Sequence, residues 1–162
     1  MAWVQPSQEG ASKDELYGQA ESLLAAMLAD APSADLSAAM ATLCSLVAAL
    51  NPVVSWIGFY RLVTPDTLVV GPYQGKPATI VIPISRGVCG EAARKRETVI
   101  VADVHAHPDH IACDICSRSE IVVPWFSSSG ELLGVLDLDS ASPAAFDGED
   151  ARWLARLLKK LA

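Results

Sequence analysis

The stretch VVSWIGFYRLV, residues 53–63, decides the fold. Before it, apolar residues recur at helical spacing. From Val53 onward β-branched and aromatic residues crowd together, as they do in a half-buried strand. Reading backward, Lys13 to Asp30 carries Leu16, Ala20, Leu23, Leu24, Met27 and Leu28 at helical intervals, and Pro32 stops that helix. A second helix takes Ser33 and Asp35 as candidate caps. It sets Leu36, Met40, Leu43, Cys44, Val47 and Leu50 on one side and closes at Asn51-Pro52. Residues 1–12, polar and containing Pro6 and Gly10, read as a flexible arm ahead of one domain over 13–162.

Reading forward, Pro65-Asp66 turns the chain into TLVVGPY (67–73), and ATIVIPI (78–84) alternates into a third strand. A short helix begins near Cys89 in VCGEAARKRE (88–97), and TVIVAD (98–103) is a fourth strand. EIVVPWF (120–126) and ELLGVLDLDS (131–140) form a hairpin across a Ser-rich turn that ends at Gly130. The last helix, DGEDARWLARLLKKL (147–161), has acids in its first turn and lysines in its last, as the helix dipole favours. Most strand connections are too short for parallel crossovers. The order therefore predicts an α+β sandwich around a largely antiparallel six-stranded sheet.

Composition narrows the function. A hydrophobic share of 51% with only 6% aromatic residues gives an aliphatic core and rules out a disordered chain. The net charge is −7 and no basic run exceeds RKR at 94–96, so no nucleic-acid partner is expected. The N-terminus lacks the pattern of a secretory signal, and no apolar window is long enough to cross a membrane. Four cysteines in such a chain are expected as thiols in a reducing, cytoplasmic setting. No Gly-rich phosphate loop is present, because GVCG (87–90) is too short for one.

Chemistry concentrates in DVHAHPDHIACDICSRSE (103–120), which holds all three histidines and two of the four cysteines. A zinc site could draw on His105, His107, His110, Cys113 and Cys116. However, no second half-site accompanies Cys-x-x-Cys, so no metal is expected. A redox reading needs two thiols that can meet, one of them deprotonated enough to attack. Cys113 with Cys116, or Cys89 with Cys113, would serve, and spacing does not choose between them. Cys89 opens a short helix whose free N–H groups are expected to lower its pKa. Cys44, on the apolar side of the second helix, is expected to pack as a small hydrophobe.

A second constellation sits on strands. Trp56 and Tyr60, four apart, share a face, and so do Asp137 and Asp139, two apart. Like-facing carboxylates among apolar neighbours are costly unless they line a polar pocket. With Glu120 they are suited to hold an ammonium group and to keep a proton available. The aromatic rings suit a methyl-sulfur or cationic group.

Six blocks carry a resemblance: WIGFY (56–60), GPYQGKPA (71–78), IPISRGVCGEAA (82–93), DVHAHPDHIACD (103–114), SRSEIVVP (117–124) and GVLDLDS (134–140). In register over roughly 15–160, they resemble the free methionine-(R)-sulfoxide reductases, enzymes built on a GAF domain. The resemblance implies a GAF-like sandwich, with the terminal helices on one side of the sheet and an active-site loop on the other. It implies reduction of free L-methionine (R)-sulfoxide, with thioredoxin as reductant and no cofactor. By the same resemblance Cys113 is the nucleophile and Cys89 a second redox cysteine. Trp56 and Tyr60 wall the sulfoxide methyl, and Glu120, Asp137 and Asp139 bind the amino group or protonate the oxygen. Many members carry a further cysteine where this chain has Thr79, which leaves Cys89 as the default resolving thiol and Cys116 as a possible accessory one. The architecture also suits a homodimer through the N-terminal helices. The competing class is a non-catalytic GAF sensor of a small molecule. It is disfavoured because no effector segment is expected after the last helix.

Overall fold

The computed structural model describes residues 8, 10–31, 33, 35–108 and 115–161. Two helices lead the chain, α1 (Lys13–Asp30) and α2 (Leu36–Leu50). Strands β1 (Trp56–Thr64), β2 (Thr67–Gln74) and β3 (Val81–Pro83) follow, then α3 (Gly87–Lys95) and β4 (Val99–Val101). A single 3₁₀ turn (Val104–Ala106) leads toward β5 (Ser119–Phe126), β6 (Leu132–Ser140) and α4 (Gly148–Leu158). The strands form one six-stranded sheet in the order β3-β2-β1-β6-β5-β4. Every pair is antiparallel, as the short connections require.

Ser12, inside the expected arm, caps α1 with a reciprocal bond to Glu15, and Asp35 caps α2. Both edge strands are shorter than their sequences suggest. Of 78–84 only Val81–Pro83 ladders, and of 98–103 only Val99–Val101. The third strand is flanked by Pro77 and ends at Pro83, and proline gives no ladder N–H, so it survives only as an edge. The first strand begins at Trp56 rather than Val53, because residues 51–54 turn: Val54 donates to the Asn51 carbonyl at 3.1 Å.

The sheet divides the protein into two layers. Ile57 and Phe59 of β1, Ile121, Val123 and Trp125 of β5, and Leu136 and Leu138 of β6 point to one face. There they pack against Leu24, Leu43, Val47, Leu154 and Leu157 of α1, α2 and α4. Each such side chain, taken fully out of water, contributes about 2 kcal/mol. Trp56, Tyr60, Val122 and Val135 point to the other face, under Val88, Cys89, Ala92 and Ala93 of α3. The terminal helices are also joined by a polar clasp. Asp150 of α4 is fully buried, accepts from the Tyr17 hydroxyl at 2.8 Å and pairs with Lys13, while Asn51 donates to the same hydroxyl at 3.3 Å.

Removing one partner from such a buried group leaves the rest desolvated without compensation. Asp150→Ala is therefore expected to lower stability by about 3 kcal/mol in urea unfolding, with the second sheet layer unaffected. A loss below about 0.5 kcal/mol, the range of ordinary surface changes, would show that the clasp is not structural.

Candidate functional site

The site is built on the central strand β6. Alternation sends Leu136 and Leu138 into the helical core and Asp137 and Asp139 to the opposite face. Register then fixes the neighbours. Asp139 lies opposite Trp56 on β1 and Glu120 on β5, and Asp137 lies opposite Gly58 and Val122. All three carboxyl groups are buried, at 4–5% exposure. The sequence grouped Glu120 with the two aspartates, and the sheet register sets it directly opposite Asp139.

Over this strip lies the first turn of α3. Gly87 takes a positive φ of 69°, which lets the chain enter the helix at this angle, and the helix start has no side-chain cap. Cys89 is buried there, and its thiol donates to Asp137 Oδ2 at 3.3 Å. Burial pushes the Cys89 thiol well up, and the charges of Asp137, Glu120 and Asp139 push it further. This overturns the expectation that the helix N-terminus lowers it. Backbone N–H groups act weakly against desolvation and three nearby acids. Cys89 is thus held as a neutral hydrogen-bond donor. Burial and the neighbouring Asp139 also hold Asp137 well above the ordinary carboxylate range, although bonds with Cys89 and Glu120 pull the other way. Asp137 therefore gives up its proton less readily than an ordinary carboxylic acid.

Aromatic rings close one side. Trp56 stacks on Tyr73 with centroids 5.6 Å apart and tilts against Tyr60 at 6.1 Å. Its indole N–H donates to the Lys76 carbonyl at 3.0 Å. Two glycines make this seat: a Cβ on Gly58 would come within 2.3 Å of the indole, and one on Gly75 within 2.5 Å. The buried Tyr60 hydroxyl donates to the Thr79 carbonyl at 3.0 Å, so it fastens the segment after β2. Tyr73, Gly58 and Gly75 were missed in the sequence. The signal was there, in glycines bracketing an aromatic residue.

The structure brings Cys89, Glu120, Asp137, Asp139, Trp56 and Tyr60 together. Cys116 is exposed at a turn before β5. Cys113 and His110, the nucleophile and a loop histidine of the sequence reading, lie outside the described residues. His105 is exposed, whereas His107 is half-buried and pairs through Nε2 with Glu91 of α3 at 2.9 Å. That contact ties the stretch just before residues 109–114 to the helix that bears Cys89. Cys44 is buried against the Pro72 carbonyl, and burial pushes its thiol up to about 12, as suits a core residue.

A sandwich of this topology with a thiol and three acids on its second face has known relatives. A model described as the GAF domain matches residues 33–162. The chain belongs to the GAF-domain family. Within it, the chain is 43% identical to the free methionine-R-sulfoxide reductase of Neisseria meningitidis, solved in complex with its substrate. That match has a TM-score of 0.83 and covers 99% of this chain and 92% of that one. It is 35% identical to the reduced form of fRMsr of Staphylococcus aureus, with a TM-score of 0.81 over 99% of this chain and 97% of that one. It is also 45% identical over 108 residues to the free methionine-R-sulfoxide reductase of Escherichia coli, covering 67% of this chain and 64% of that protein. The likeness read from the six blocks is thereby established. Among the described residues of this GAF domain, no helix is long and apolar enough to cross a membrane.

Two outcomes follow from the electrostatics. The unfolded Asp137 ionises near 3.8 and the folded one well above it. The folded protein therefore loses stability as pH rises between those two ionisations, at about 1.4 kcal/mol per pH unit. Asp137→Asn is expected to lack this loss, so its stability relative to wild type should climb with pH across the window. Urea midpoints at a series of pH values check it, and a constant difference would refute it. In the reduced protein at mildly alkaline pH, iodoacetamide is expected to label Cys116 well before Cys89 or Cys44, as peptide mapping would show. Equal labelling of Cys89 and Cys116 would contradict the burial and charge argument.

Proposed function

We propose that this protein reduces free L-methionine (R)-S-oxide to L-methionine by thiol chemistry. Cys113 attacks the sulfoxide sulfur as a thiolate, and Asp137, with Glu120, delivers a proton to the oxygen. Protonation matters because hydroxide is a far better leaving group than oxide. The protonated oxygen then passes from the substrate sulfur to Cys113 Sγ as the transient sulfur–sulfur bond breaks, leaving a sulfenic acid on Cys113 and free methionine. The Cys89 thiol then condenses with the sulfenic acid, giving a disulfide and one water. Thioredoxin, in a reducing cytoplasmic setting, returns the pair to thiols.

The observation that carries this reading is the Cys89 thiol 3.3 Å from Asp137 in a buried three-carboxyl cluster beside Trp56. Two properties of that cluster support it. An acid with a raised pKa is what the protonation step needs. A thiol whose ionisation burial and three acids oppose is poorly placed to make the first attack, which favours Cys113 as attacker and leaves Cys89 the later, resolving step. Thr79 offers no thiol, so Cys89 carries the resolving step. The substrate's ammonium group would pair with Asp139 and Glu120, and its methyl group would rest on Trp56 and Tyr60. A peptide-bound methionine has no free ammonium to present, so free amino acid is preferred. A homodimer is part of the same reading: Met27 and Leu36, on α1 and α2, leave 43% and 45% of their surface exposed.

A thioredoxin-coupled assay tests it, with wild type and the Cys89→Ser, Cys113→Ser, Cys116→Ser and Asp137→Asn proteins. Each is tried on free R and S methionine sulfoxides and on a peptide-bound one. Wild type is expected to act on the free R epimer. Cys113→Ser should abolish turnover, and Asp137→Asn should lower it by about 100-fold. Cys89→Ser should stall after one turnover with a sulfenic acid on Cys113 that dimedone traps. Native turnover by Cys113→Ser would end the proposal. Ligand binding without turnover by wild type would favour the sensor class.

A further inference from the structure

The cluster under α3 meets the demands of a second kind of guest. Cys89 Sγ and one carboxylate oxygen each from Glu120 and Asp137 all lie within 4.8 Å of one another, and all three residues are buried. The Cys89–Asp137 separation is 3.3 Å. Sulfur and oxygen ligands on a tetrahedral zinc stand about 3.5 Å apart, given bonds of roughly 2.3 and 2.0 Å. That pair therefore needs almost no movement. Among the described residues Asp137 Oδ1 is buried without a hydrogen-bond partner, so it has a lone pair to offer a cation. The donor set also discriminates. One thiolate with two carboxylates is too soft and too small for calcium or magnesium, which take six or more oxygens, and it suits zinc or cadmium.

We propose that the reduced protein binds one thiophilic divalent cation of the zinc class on Cys89, Glu120 and Asp137, and that this ion reversibly inhibits it. The ion is an inhibitor and not a resident cofactor. On binding, the Cys89 proton and any proton held by the two acids pass to solvent, the metal–sulfur bond forms and no electron moves. A chelator therefore reverses the process. Occupancy ties up the resolving thiol and the acid, and it fills the place where a substrate ammonium would sit. Oxidation of Cys89 to a disulfide removes the sulfur ligand and releases the ion, so metal loading is confined to the reduced state. The inhibition rests on the proposed catalysis, whereas the binding does not.

Chelator-stripped, fully reduced protein is dialysed against zinc chloride, and separately titrated with cadmium while the ultraviolet thiolate-to-cadmium band is followed. One ion per chain and a cadmium band are expected. Cys89→Ser should abolish the band and weaken zinc binding at least 100-fold, and Asp137→Asn should weaken it about tenfold, since even outer partners of a metal cost 10- to 100-fold. Cys116→Ser should change neither. Thermal melts of each variant confirm that the fold persists. A band that survives in Cys89→Ser and vanishes in Cys116→Ser would move the ion to the histidine loop and overturn the site. No zinc retained by wild type would overturn it too, leaving the reductase reading untouched. Zinc bound at Cys89 with turnover undiminished would overturn the inhibition and count against these acids in catalysis.

Discussion

Three carboxyl groups and a thiol share one dry patch on the second face of β6, and the rest of the molecule is organised around tolerating them. Isolated buried carboxylates are among the most expensive features a fold can carry. Here the expense is eased by raised proton affinity and hydrogen bonding: burial and Asp139 make Asp137 hold its proton more tightly than an ordinary carboxyl group, and it bonds with Cys89 and Glu120. The balance comes from the other side of the same strand. Leu136 and Leu138 sit in a continuous apolar layer with α1, α2 and α4, which fixes β6 firmly enough that its polar face cannot slip. A shift of one residue would exchange the two faces and put both aspartates into the helical core.

Keeping the patch dry depends on the aromatic wall. Trp56 can lie flat against the sheet only because positions 58 and 75 lack side chains, and Tyr73 and the Lys76 carbonyl then lock its indole. Low dielectric strengthens each electrostatic interaction inside, so the wall and the raised acid belong to one device. Helix α3 closes the opposite side. Through Glu91 and His107 it also fastens the chain that runs toward residues 109–114. The proposed proton transfer and the proposed affinity for a soft cation draw on the same closeness of sulfur and oxygen, with Cys89 Sγ 3.3 Å from Asp137 Oδ2. Both properties follow from a thiol placed among acids.

Much of this was legible in the sequence. The change from helical to strand periodicity, which the structure places at Trp56 rather than Val53, the hairpin of β5 and β6, and the Asp35 cap of α2 all rest on local signals. Edge strands were read too long, because their length is set by how much neighbouring backbone is available to pair, which residue preference does not record. The thiol pKa was read in the wrong direction. A helix start is visible in the sequence, but three acids arriving from two other strands are not.

The sequence by itself determined the residue types, the period-two alternation that puts Asp137 and Asp139 on one side, and the pairing of Trp56 with Tyr60. These follow from geometry within single strands. Only the tertiary structure decided that Glu120 lies opposite Asp139 and that Cys89, 48 positions before Asp137, lands 3.3 Å from it. Contacts of that span depend on register and on the packing of α3 across the sheet. They are settled by the summed burial of two layers, a quantity no short stretch of the chain contains.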